Sequence, residues 1–132
     1  MKEVINFDER KPIWIALSDL YLDTELKQDF HLKYIATTIS QSSYTFDEVK
    51  KINKYEVFPV LFSNLLLPAG EWFAFDERIT INSIIEWIES KKPLDLLAVE
   101  WVYMVYKDIN EEYWDEIEYL YNKIRSSSLS GS

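Results

Sequence analysis

No cysteine occurs anywhere in the 132 residues. That excludes a disulfide framework, thiolate catalysis and any zinc site built on sulfur. Histidine is nearly as scarce, with His31 alone between Phe30 and Leu32. One imidazole cannot assemble a zinc hydrolase. Its place at the start of an apolar stripe reads as a core-edge or surface position rather than the base of a nucleophilic triad. Glycine occurs only at Gly70 and Gly131, so phosphate-cradling glycine loops and Asn-Gly hairpins are excluded as well.

Long apolar runs are also missing. Residues 57–69 are interrupted by Pro59, Asn64 and Pro68, and residues 94–106 carry Asp95 and Glu100. Both fall short of the ~20 apolar residues that a membrane span needs. Residues 1–10 mix charges with Val4, Ile5 and Phe7, which is not the apolar core of a secretory signal. These absences predict a cytoplasmic protein of the bacterial-cytosol type without membrane contact.

Positive charge is in short supply too. Fourteen basic residues face 23 acidic ones, a net of −9, and such a field repels phosphate backbones, so no nucleic-acid partner is expected. The one basic cluster, Lys50, Lys51 and Lys54, is closely neighboured by Asp47, Glu48 and Glu56 and reads as a solvated helix face.

What the chain does contain is helical periodicity over one domain's length. Ile13, Trp14, Leu17, Leu20 and Tyr21 recur at helical spacing, with Pro12 suited to a first turn after Asp8 or Glu9. Asp23 and Thr24 read as caps. Leu32, Ile35, Ala36 and Ile39 form a second stripe that ends in the polar run at 40–43. Thr45 followed by Glu48 has the capping-box spacing and opens a third helix through Phe46, Val49 and Ile52, which Pro59 bends or restarts. Residues 63–80 read as an irregular ordered loop whose aromatics Trp72, Phe73 and Phe75 return to the core.

Helical pattern resumes with Ile81, Ile84, Ile85 and Ile88, and Lys91, Lys92 and Pro93 stop it. Leu94, Leu97, Ala98, Trp101, Val102 and Val105 follow, with Leu96, Val99, Tyr103 and Met104 filling most other faces. That pattern predicts the central, most buried helix. Asn110 reads as the cap of a last helix whose inner face is Tyr113, Ile117, Leu120, Tyr121 and Ile124. The fold class expected is an all-α, single-domain bundle of about six helices over residues 1–125, with a flexible Ser-rich tail at 126–132.

The clearest local signal is electrostatic. Glu111, Glu112, Asp115, Glu116 and Glu118 fall within two turns of Asn110, before any basic residue. Acids near a helix N-terminus complement its dipole by about 0.3–1 kcal/mol each at most. The same carboxylates can steer a basic protein partner into contact. Both readings stand at the level of sequence. Trp114 and Tyr119 beside them are candidate aromatic anchors, and Trp114 reads equally as a core residue.

Carboxylate chemistry has one further layout to offer. Glu86 and Glu89, and Glu112 and Asp115, form two i, i+3 pairs, similar to those of all-α nucleotide pyrophosphohydrolases. That likeness implies magnesium held between antiparallel helices against a substrate's phosphates. The helix phases oppose it, because Glu86 lies off its apolar stripe and Glu112 and Asp115 lie off theirs, and a bundle metal site needs inward carboxylates.

Two stretches carry a family resemblance. They are PIWIALSDLYLDTEL over 12–26, and the segment 42–75 containing SSYTFDEV, EVFP and NLLLPAGEWFAF, which runs on to Asp76. They resemble a family of small bacterial proteins with ALSDLFLDTE-like and NLLxxAGEWxxFD-like segments. The resemblance implies a compact helical cytosolic domain and attaches no activity to it. The matched polar positions Asp19, Asp23, Glu56, Asn64, Glu71, Trp72 and Asp76 are either a polar site or caps and buried hydrogen-bond partners. In physical type the chain is also similar to immunity proteins of contact-dependent inhibition, small acidic domains that cover a basic toxin's active site. The expected function is therefore non-enzymatic binding of a basic protein, with no cofactor and no metal. The alternatives are the magnesium pyrophosphohydrolase and a homo-oligomeric structural or regulatory protein.

Overall fold

The computed structural model describes residues 6–21, 29–62, 77–106 and 108–130. The protein is an all-α bundle, and no strand occurs among the described residues. Its helices are α1 (Phe7–Ser18), α2 (Asp29–Gln41), α3 (Phe46–Ile52), α4 (Phe58–Leu61), α5 (Glu77–Ser90), α6 (Pro93–Tyr106) and α7 (Asp108–Ser130). A π-helical stretch, Asn53–Val57, joins α3 to α4 without a break, so these three make one rod.

Helix α1 starts earlier than its sequence signals indicate. Asn6 is the N-cap and accepts from the Glu9 amide, and Pro12 sits inside the helix. The missing Pro12 N–H deprives only the Asp8 carbonyl, in an exposed first turn where water can serve it. The apolar stripe is as the spacing predicts. Ile13, Trp14, Leu17, Leu20 and Tyr21 are all buried, the last two on a tight turn at Asp19–Tyr21. Each contributes about 1.5–3 kcal/mol through burial. These residues, not those of α6, form the centre of the molecule.

Helix α3 opens on the capping box seen in the sequence. The Glu48 amide donates to Thr45 Oγ1 at 3.1 Å, and Glu48 accepts from the Thr45 amide at 2.8 Å. The Thr45 backbone and hydroxyl hydrogen bonds hold the Glu48 carboxyl below the usual carboxylate range. Pro59 acts four residues downstream of Tyr55, and the helix widens between them. Phe58 N–H reaches back five residues to the Asn53 carbonyl. This is the form that the predicted bend takes, because the proline ring and its missing N–H disfavour ordinary α pairing at that turn.

Helix α7 lies along α2 in the most extensive packing of the bundle, burying Trp114, Ile117 and Tyr121. It begins at Asp108 rather than at Asn110, and runs to Ser130 through the stretch expected to be a flexible tail. Helix α5 begins by Glu77, inside the stretch read as loop. The remainder of that loop, including Trp72, Phe73 and Phe75, lies outside the described residues, as do Asp23 and Thr24. No helix among the described residues is long and apolar enough to cross a membrane.

The largest departure from the sequence reading is α6. Leu94, Leu97, Ala98, Trp101, Met104 and Val105 are exposed. Among the described side chains of α6 only Val99 is buried, with Val102 and Tyr103 half-buried against the core. A helix apolar on nearly every face does not itself specify which face is covered. Here Val99, Val102 and Tyr103 face the core, and on the flank of the helix Tyr55 and Lys54 of the π-helical stretch both bind Glu100, with Lys54 Nζ 2.9 Å from the carboxylate.

Candidate functional site

The acidic side of α7 is built as its periodicity requires. With Trp114, Ile117 and Tyr121 turned inward, Glu111, Asp115, Glu116 and Glu118 are exposed; the side chain of Glu112 lies outside the described residues. The helix does not bring the four described acids onto one face. Glu111, Asp115 and Glu118 fall within about 60° of one another around the axis, whereas Glu116 lies about 100° further round. Tyr119 stands between the two groups, 59% exposed, with Lys123 Nζ 5.8 Å from its ring centre.

Lysines from another helix approach the first group. Lys50, Lys51 and Lys54 line a cleft of about 370 Å³ together with Tyr103, Trp114, Glu111 and Asp115. No ion pair closes across that cleft among the described residues. Trp114 is core rather than anchor. Phe46 meets its ring edge-on at 5.7 Å and Lys50 lies 6.0 Å from it, while its indole N–H is buried with no hydrogen-bond partner.

Of the other sequence candidates, Glu86 and Glu89 are exposed on α5, and Asp115 is exposed on α7. No group of three or more metal-ligating side chains gathers among the described residues. His31 lies at the core edge, with Nδ1 3.0 Å from Asp19 Oδ2. Burial raises the Asp19 carboxyl above its ordinary value, and the His31 contact only partly offsets that.

Glu56 is the best-connected polar residue of the core. It accepts from Trp14 Nε1 at 2.8 Å and from Arg10, which also donates to Tyr44 Oη at 3.0 Å. Burial works to lower the Arg10 pKa, but the Glu56 carboxylate outweighs it, and the guanidinium stays charged. One helix turn away, Tyr21 donates to Asn53 Oδ1 at 2.7 Å, and burial pushes its hydroxyl well above the ordinary value. Asp19 and Glu56, two of the positions in the resemblance, thus act as hydrogen-bond partners. Asn64, Glu71, Trp72 and Asp76 lie outside the described residues. Arg10 and Glu56 also edge a cleft of about 710 Å³ beside Lys51, Lys91 and Glu100. It combines both signs of charge, and Glu56 and Glu100 within it are already bound to other side chains.

The family model described as Domain of unknown function (DUF7079) matches residues 8–120, from α1 into α7. The chain belongs to the DUF7079 family. No curated protein and no solved structure matches the chain. The matched span of this DUF7079 domain includes α6 and the α7 acids Glu111, Glu112, Asp115, Glu116 and Glu118.

Sequence reasoning missed the residues of the α6 ridge as surface. No signal in the sequence marks them as surface, because the three-and-four spacing of Leu94, Leu97, Trp101 and Met104 is also that of the buried stripe of α1.

Proposed function

We propose that this DUF7079 domain is a non-enzymatic protein-binding domain that engages a basic protein through the outward side of α7. In its specific form it is an immunity protein of the contact-dependent type, which covers the active site of a basic toxin. The observation that carries the reading is Tyr119, exposed among Asp115, Glu116 and Glu118, none of which has an ion-pair partner among the described residues. An exposed aromatic flanked by solvated carboxylates, with Lys123 at its ring, supplies an anchor together with long-range attraction for cationic partners. The net charge supports it, with −7 of the total carried by the second half of the chain.

The test is titration of the full chain against the basic protein encoded beside it. Reversal of Asp115, Glu116 and Glu118 to Lys is expected to slow association by about tenfold or more at low salt. Unchanged association would remove α7 from the reading. Absence of binding to the wild-type chain would remove the partner.

A further inference from the structure

We propose that a second copy of this chain covers the outer face of α6, the two α6 helices packing antiparallel about a twofold axis. The apolar ridge is distinct from the Tyr119 side of α7, and only the flanking charges Glu111 and Asp115 belong to both surfaces, so the dimer holds whether or not a basic partner exists.

Leu94, Leu97, Trp101, Met104 and Val105 are between 53% and 78% exposed and lie on one side of one helix. Four of them keep the three-then-four spacing of a coiled-coil seam, over a length of about 15 Å. Isolated exposed apolar residues are ordinary, but a contiguous ridge of this kind marks a contact surface. The ridge cannot be hidden by rolling the helix. Rotation would part Glu100 from Lys54 and Tyr55 and would pull Val99 out of its buried position.

Two features select a copy of the same chain. The first is charge. Lys91 and Lys92 precede α6, while Glu111 and Asp115 lie on the first turns of the helix that follows it. Antiparallel pairing sets Lys91 and Lys92 of each copy, with Asp95 beside them, towards Glu111 and Asp115 of the other, which also share a cleft with Lys50, Lys51 and Lys54 of their own chain; parallel pairing sets like ends together. Such a patch is self-complementary, as an isologous interface must be. The second is area. Trp101 alone can bury roughly 150–250 Å², and with four aliphatic side chains exposed beside it the ridge reaches the ~300–600 Å² at which a patch marks a contact surface. Covering most of it on both copies would bury on the order of 1,000 Å², the lower end of what a specific interface needs.

Sedimentation of the full chain over a dilution series tests the proposal. The wild type is expected at twice 15.8 kDa at the concentrated end. Leu97→Glu and Trp101→Glu are each expected to give the monomer with unchanged far-UV dichroism, since neither side chain is part of the core. Lys91→Glu with Lys92→Glu should weaken the dimer by about tenfold, and adding Glu111→Lys should recover most of that loss. A wild-type monomer throughout overturns the proposal. So does a dimer that survives both glutamates on the ridge, and a dimer that Glu111→Lys fails to rescue overturns the antiparallel order.

Discussion

Trp87 on α5 donates its indole N–H to the Tyr55 carbonyl at 2.7 Å. Tyr55 is the residue whose α-helical acceptor would be filled by residue 59, and residue 59 is proline. A side chain from another helix therefore supplies the donor that the sequence removed, and the π-helical turn is held open by it. That turn presents Asn53 and Glu56 to the core and Lys54 and Tyr55 to α6. Its geometry sets both the polar centre and the pose of the exposed ridge.

Trp87→Phe keeps most of the ring volume and leaves the Tyr55 carbonyl without its donor. Loss of a hydrogen bond to a partly buried acceptor costs about 1–3 kcal/mol. Urea unfolding should show a lowered midpoint of that size with an unchanged slope. A midpoint equal to that of the wild type would mean that water serves the carbonyl equally well.

Arg10→Met strands the Glu56 carboxylate with Trp14 as its remaining partner. Removing one member of a buried ion pair costs about 3–5 kcal/mol. Adding Glu56→Gln removes the charge and keeps an acceptor for Trp14, so the double variant should be less destabilised than the sum of the two singles. The coupling should reach about 0.5–3 kcal/mol in a denaturation cycle. Strict additivity would show that the two side chains do not interact.

Asp19 gives a pH signature. Burial raises its folded-state pKa, against which the His31 contact acts. A carboxyl with a raised folded pKa favours folding most fully when protonated, below its unfolded value of about 3.9. That contribution is lost as pH rises through the folded value. Asp19→Asn stays neutral, so its stability relative to the wild type should increase as pH rises above about 3.9 through the raised folded value and then level off. Thermal melts across that range read it directly, and a wild type that gains on the variant with rising pH contradicts the assignment.

The parts legible in the sequence were those that short-range physics decides. The Thr45–Glu48 capping box closes within three residues, and both of its hydrogen bonds are present. The stripes of α1 and α2 faced inward because a helix with one clear apolar side has one way to bury it. Glu111, Asp115, Glu116 and Glu118 of α7 are exposed for the complementary reason: Trp114, Ile117 and Tyr121 occupy the opposite side of the same helix. Less of the candidate site was legible. Spacing along α7 does not reveal that Lys50, Lys51 and Lys54 of another helix share a cleft with Glu111 and Asp115.

Composition and periodicity by themselves determined an acidic all-α bundle, the inward faces of its well-patterned helices, and the absence of cysteine chemistry. Only tertiary structure decided the fate of α6. Leu94, Leu97, Trp101 and Met104 are as apolar as the residues of α1, and hydrophobicity alone would bury them. Burial needs a neighbour on that side, and α6 meets the core through Val99, Val102 and Tyr103 instead, with Glu100 held at its flank by Lys54 and Tyr55.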